Sequence, residues 1–244
     1  MKIINVMGFP VFKGDLSQIK VESKYQFLVN TISPNSYGLS VVDARADRAL
    51  RGSDLLVLDG VYFGWASLVL KGEKINRITG MDAFKCFSKW ANKNNGKVFF
   101  MGSTNETLKK IKYNYSKEYP NAEVDFYSPP YKQEFSEEDN LLIYAKINAF
   151  NPDIVFVGLT APKQEKWGFE NKKYLNVKVI FTIGNVFDWY AGNSKRPSIF
   201  WQKIGMEWFI RIFHRPEIFR RNIKNQMTFF WHLFLIIIKI KKND

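Results

Sequence analysis

One cysteine, Cys86, and two histidines, His214 and His232, are all that the 244-residue chain contains of these types. A lone cysteine builds no internal disulfide framework; it fits buried packing in a reducing compartment. Both histidines lie near the C-terminus, so a Ser-His-Asp triad or a histidine metal cage inside the core is excluded. No run reaches the roughly 18 to 20 apolar residues of a spanning helix. The longest approach, 227–238, is interrupted by His232. The opening MKIINVMGFPVFKGD alternates and breaks too early for a secretory signal, so a cytoplasmic start is expected. No G-x-G-x-x-G follows the first strand, which disfavours a dinucleotide dehydrogenase. Asp-x-Asp, the usual metal anchor for a sugar nucleotide, is absent as well, Glu123-Val124-Asp125 being the nearest.

Acidic residues are few beside basic ones, 23 Asp and Glu against 36 Lys and Arg, giving a formal +13. The excess is uneven. Residues 195–244 hold 11 Lys and Arg and 3 Asp and Glu, a net +8, which leaves +5 for residues 1–194. With 46% hydrophobic residues and 24% charged ones, the chain buries a core rather than staying disordered. The expected organisation is an α/β domain over 1–194 and a helical, basic, aromatic appendage over 195–244.

Apolar runs rich in Val, Ile and Phe at 27–32, 55–58, 98–101, 154–157 and 177–183 read as buried strands. Helical segments lie between them: 36–50 behind Asn35 as N-cap, 106–119 behind Asn105, and a helix opened by a Ser136/Asp139 capping box. The alternation predicts a Rossmann-like, mostly parallel sheet flanked by helices. Its working residues belong in loops beyond the carboxyl ends of strands. Asp59-Gly60, Gly102-Ser103-Thr104, Gly158-Leu159-Thr160 and Gly184-Asn185 all sit there. Each glycine suits a close approach to a phosphorylated ligand, and each suits a plain turn equally well.

Asp59 ends an apolar strand, where a buried carboxylate is costly unless hydrogen-bonded or used as a base. Ala161-Pro162-Lys163-Gln164-Glu165 follows a strand at a helix start, where Lys163 and free N–H groups suit phosphate and Gln164 and Glu165 suit hydroxyls or amides. Asp188 stands in GNVFDWYAG, where it is a ligand contact or a capped turn. From Lys195 onward, aromatic residues interleave with arginines at helical spacing, with Pro216 as a break. This pattern suits an anionic membrane surface, and it also suits a helix packed on the core with its charges outward.

These segments, in this order, resemble the WecG/TagA/CpsF family of bacterial glycosyltransferases. The matches are MGFPV at 7–11, SPN at 33–35, DLLVLDG at 54–60, RITGMD at 77–82, FFMGS at 99–103, NPDIVFVGLTAPKQEKW at 151–167, GNVFDWYAG at 184–192 and MEWFIRIFHRPEIFRR at 206–221. The resemblance implies inverting transfer of a sugar from a UDP-sugar to a polyprenyl-diphosphate-linked saccharide, in cell-surface polysaccharide or wall-polymer synthesis. The enzyme would be peripheral at the inner face of the cytoplasmic membrane, attached by the C-terminal appendage. Asp59 then corresponds to the catalytic base, and Ser33 and Asn35 to a Thr-x-Asn motif in which serine keeps the hydroxyl.

Arg77, Gly80, Asp82, Gly102, Gly158, Lys163, Gln164, Glu165 and Asp188 are candidate substrate contacts, although Arg77 and Asp82 also suit a surface ion pair. Arg211 and Arg221 match family arginines proposed to reach the diphosphate. A third such position holds Ile218, with Arg215 and Arg220 nearby. Where the family reads D-G-x-G, Tyr62-Phe63 precedes Gly64, which implies a differently shaped acceptor pocket. With no Asp-x-Asp, transfer is expected without metal or other cofactor. Nucleic acid is not an expected partner, since no reading fold accompanies the basic stripe. A homo-oligomer and a non-catalytic membrane scaffold both remain compatible with the sequence.

Overall fold

The computed structural model describes residues 1–21, 24–198, 201 and 216–239, with the side chains of 216–221 left aside. Eight strands form one sheet in the order β1-β2-β4-β3-β8-β7-β5-β6: β1 Lys2–Val6, β2 Phe9–Lys13, β3 Phe27–Ile32, β4 Leu55–Leu58, β5 Lys97–Gly102, β6 Glu123–Tyr127, β7 Ile154–Gly158 and β8 Val179–Thr182. All pairings are parallel except β1 with β2.

Helices cover both faces, which explains why the inner strands are mostly apolar rather than alternating; buried Asn30 and Thr182 are exceptions that hydrogen-bond to each other. On one face lie α4 Gly80–Asn94, α5 Asn105–Glu118 and α8 Val186–Tyr190, whose Phe84, Leu108 and Phe187 share a core with Val29, Phe100, Phe156 and Phe181. On the other lie α1 Pro34–Val42, α2 Ala44–Arg51, α3 Val61–Lys71, α6 Glu137–Phe150, α7 Lys163–Asn171 and α9 Pro216–Ile237. Successive residues of one strand feed opposite cores: Leu28 packs with Ile180 and Trp167, and Val29 with Val57 and Phe181. The architecture is the expected Rossmann-like α/β sandwich.

Several local expectations change. The helix expected over 36–50 is two helices: Ser33, not Asn35, caps α1, and the Asp43 carboxylate accepts the N–H groups of Arg45 and Ala46 to start α2. Thr104 rather than Asn105 caps α5. Ser136 and Asp139 do form the capping box of α6. Pro216 is the first described residue of α9, and the residues before it lie outside the described ones.

α9 belongs to the folded body. Phe229 and Ile236 are buried with Ile4, Phe9, Tyr37 and Phe63. Its axis passes close to α1 because Gly38 has no side chain: a Cβ there would lie 2.3 Å from the Asn225 backbone. Tyr37 Oη lies 2.8 Å from His232 Nδ1, and burial raises the Tyr37 phenol to about 12. Among the described residues, no helix is long and apolar enough to cross a membrane.

Candidate active site

Because β2 to β8 run parallel, their carboxyl ends line one edge of the sheet, and that edge carries nearly every sequence-picked residue. β4, β3, β8 and β7 lie side by side, so the edge from Asp59 to Gly158 spans roughly 14 Å at the usual strand spacing.

At one end Asp59 follows β4 directly. Its N–H donates to the Ile32 carbonyl at 3.0 Å, which sets it beside the Ser33 turn at the end of β3. Gly60 fits there only without a side chain, since a Cβ would come within 2.6 Å of Pro34 Cδ. Arg77 holds Asp59 twice: its Nε donates to the Asp59 carbonyl at 2.5 Å, and its Nη2 lies 3.4 Å from Oδ1. The Asp59 side chain is about one-third exposed, so the carboxylate is steadied by a guanidinium at an open rim rather than sealed in the core.

Ser33 spends its hydroxyl on α1. Its Oγ accepts from Ser36 N, while Ser36 Oγ accepts from Ser33 N at 2.7 Å. Asn35 sits in the first turn of α1, and its Oδ1 accepts from Asn225 Nδ2 at 3.0 Å. Thus Asp59, Ser33, Asn35 and Arg77 gather in one place, with α9 attached to it.

RITGMD resolves differently from an Arg77–Asp82 pair. Asp82 closes a capping box on Thr79, whose N–H and Oγ both donate to its Oδ2 at 2.8 and 2.7 Å. Gly80 lets the start of α4 touch the end of β8, as its Cβ would meet the Ile183 carbonyl at 3.2 Å. Gly102 and Gly158 also have packing reasons. A Cβ on Gly102 would lie 2.6 Å from the Gly158 carbonyl, and one on Gly158 would lie 2.4 Å from the Phe187 ring.

α7 begins after β7 with no side chain capping its N-terminus. Lys163 turns from the open edge toward the loop at 128–136: Nζ donates to the Lys132 carbonyl at 2.6 Å and lies 3.4 Å from the Phe135 ring centre, and burial lowers its pKa. Gln164 and Glu165 are both buried. Gln164 Nε2 donates to Glu165 Oε1 at 2.9 Å, and the Gln164 carboxamide lies under Gly184 at the end of β8. Burial pushes the Glu165 carboxyl up; its Oε2 and Gln164 Oε1 find no hydrogen-bond partner among the described residues. Lys166 fixes this turn to α2 through Asp43 at 3.1 Å. Burial opposes ionisation of Asp43, but the Ala46 N–H and Lys166 outweigh it and hold the carboxyl below its ordinary value.

Asp188 lies in the first turn of α8, within reach of the Asn185 amide once that amide is turned to satisfy both its ends. Arg211 and Arg215, and the side chains of Ile218, Arg220 and Arg221, lie outside the described residues. Sequence reasoning missed Asn225, Gly38 and Tyr37. Their importance arises from a helix crossing between segments about 190 residues apart, for which no local pattern exists.

A mostly parallel α/β sheet that brings a carboxylate, a hydroxyl cap and an uncapped helix N-terminus to its carboxyl edge has the arrangement of a Rossmann-like ligand site. The comparisons make the class specific. The profile of the glycosyl transferase WecG/TagA/CpsF family matches residues 4–243, and the chain belongs to that family. It is similar to the N-acetylglucosaminyldiphosphoundecaprenol N-acetyl-beta-D-mannosaminyltransferase of Bacillus subtilis (strain 168), with 29% identity over 204 residues, 83% of this chain and 77% of that one. The proteins of the same name from Staphylococcus aureus strains MRSA252 and NCTC 8325 / PS 47 are 27% and 26% identical over 190 residues, 78% of this chain and 73% of each.

Proposed function

We propose that this glycosyltransferase moves an N-acetylhexosaminyl group from a UDP-sugar to a polyprenyl-diphosphate-linked saccharide, with inversion. The acceptor is the chemistry named for its Bacillus and Staphylococcus relatives. The observation that carries the reading is the meeting of Asp59, Ser33 and Asn35 at one end of the carboxyl edge, with Arg77 bracing Asp59 by both its carbonyl and its carboxylate.

In the reaction, the Asp59 carboxylate takes the proton of the acceptor hydroxyl as the oxygen bonds to the anomeric carbon. The bond from that carbon to the donor diphosphate breaks on the opposite side, and UDP leaves with the electron pair. Arg77 keeps the carboxylate aimed. The open N-terminus of α7 and, by family resemblance, Arg211 and Arg221 take the charge that grows on UDP. No metal is assigned a role, on the ground that Asp-x-Asp is missing from the sequence.

The chain works at a membrane surface. α9 carries a second apolar stripe, Met227, Phe230, Trp231, Phe234 and Ile237, on the side away from buried Phe229 and Ile236, and it leads into a lysine-bearing end. Asp59→Asn tests the chemistry. It keeps the fold and loses roughly 10²- to 10⁴-fold in UDP release on lipid acceptor, and unchanged turnover removes Asp59 from the mechanism.

A further inference from the structure

The solvent side of α3 is as apolar as the outer side of α9. Trp65, Leu68 and Val69, spaced i, i+3 and i+4, are 58, 52 and 64% exposed, while Phe63, Ala66 and Ser67 turn into the core. A soluble helix normally presents charges on that side. The two exposed stripes are continuous: the Tyr62 ring packs edge-on against Trp65 at 5.3 Å and against Phe230 of α9 at 5.3 Å.

The flanking charge has one sign. Lys71 and Lys74 are exposed just beyond the stripe and Lys239 beyond the end of α9. The acid between the first two, Glu73, is already paired with Lys2 and Lys13. Tryptophan and leucine beside uncommitted lysines match the boundary of an anionic bilayer, where rings reach below the headgroups and ammonium groups stay among them. A second copy of the chain would bring the same positive charge against itself. The location also fits, because α3 starts two residues after Asp59 and puts Trp65 within two turns of the carboxylate.

We infer that α3 is itself a membrane-docking element, so that the protein meets an anionic lipid surface through a two-helix face, α3 with α9, rather than through its C-terminal segment alone. The inference rests on the lipid-linked acceptor proposed above. It predicts which rim of the site faces the bilayer: the one formed by Asp59 and the start of α3.

The test uses the full chain and vesicles of phosphatidylcholine, with and without one-third phosphatidylglycerol. Trp65→Ser, Leu68→Ser and Val69→Ser combined should lower partitioning onto the anionic vesicles about tenfold or more. Melting temperature and UDP release on a short-chain, water-soluble acceptor should stay unchanged. Trp65→Gln alone should give a smaller loss in the same direction, and it serves as the readout if the triple variant fails to fold. Lys71→Glu with Lys74→Glu should weaken binding only to the anionic vesicles. Wild-type partitioning of the Trp65 variants overturns the inference. So does loss of self-association in sedimentation velocity with vesicle binding intact, since the face would then belong to a second copy. If the variants lose vesicle binding but the wild type releases no UDP with any lipid acceptor, the docking face stands and the proposed reaction falls.

Discussion

Asn225 on the last helix donates its amide to Asn35 Oδ1 in the first turn of the first helix, across 3.0 Å. A candidate active-site residue is thereby held by the part of the chain that also carries the exposed aromatic stripe. Asn35→Ala and Asn225→Ala should couple by about 1 kcal/mol in a double-mutant cycle read by denaturant unfolding. If Asn225 positions Asn35 for the reaction, the two single variants should also lose turnover by similar factors and the double variant little more. Additive losses in rate would make the contact structural only.

Gly38→Ala addresses the helix crossing itself. The added methyl meets the backbone of Asn225, which has no rotamer to yield, so α9 must shift. A loss of about 1 to 3 kcal/mol is expected, and limited proteolysis should cut between 195 and 239 sooner than in the wild type. Wild-type stability would show that α9 rides further from α1 in solution.

Glu165 gives a pH signature. Burial raises its carboxyl above the ordinary value of 4.5, so between those two values the native state holds a proton that the unfolded chain has released. Its contribution is therefore fully present below pH 4.5 and is lost as pH rises through the raised value. Glu165→Gln keeps the shape and removes the titration. It should melt higher than the wild type in neutral and alkaline buffer, with the gap closing toward pH 4. A gap that does not change with pH would count against the assignment.

Metal dependence is open to a direct assay. Enzyme treated with a chelator and desalted should keep its rate of UDP release. A fall to background restored by magnesium or manganese would reverse the expectation drawn from the missing Asp-x-Asp.

The inner strands were legible because both faces of the sheet are covered, which leaves β4 and β7 as apolar runs and β3, β5 and β8 as mostly apolar ones. The β1–β2 hairpin was not. Its two-residue turn is Met7-Gly8, with φ of 51° and 83°, a pair of left-handed residues usually announced by Asn-Gly. Asn5 supplies the missing polar group from outside the turn by accepting the Gly8 N–H. Asp43 hid the break between α1 and α2 in a similar way, capping a second helix whose Ala-Arg-rich residues are good helix formers.

At the site, the place of Asp59 followed from its strand and glycine. The partners did not: Arg77 reaches it from 18 residues away, and Asp82 is occupied by Thr79. Gly102 and Gly158 matched ligand-approach glycines in pattern, yet their missing side chains already serve strand and helix packing.

The core on the α1, α3 and α9 side joins Ile4 and Val6 of β1 to Phe229 and Ile236 of α9, so it draws on segments far apart in the sequence. The opposite core needs none of the described residues beyond Ala191. During synthesis one face of the sheet can therefore close early, while the face holding Phe63 and Leu58 waits for α9 to emerge. A nascent chain would keep the Asp59 end of its site unfinished until α9 has been made, and a product cut short before α9 would expose an apolar, half-built face that quality-control proteases can recognise.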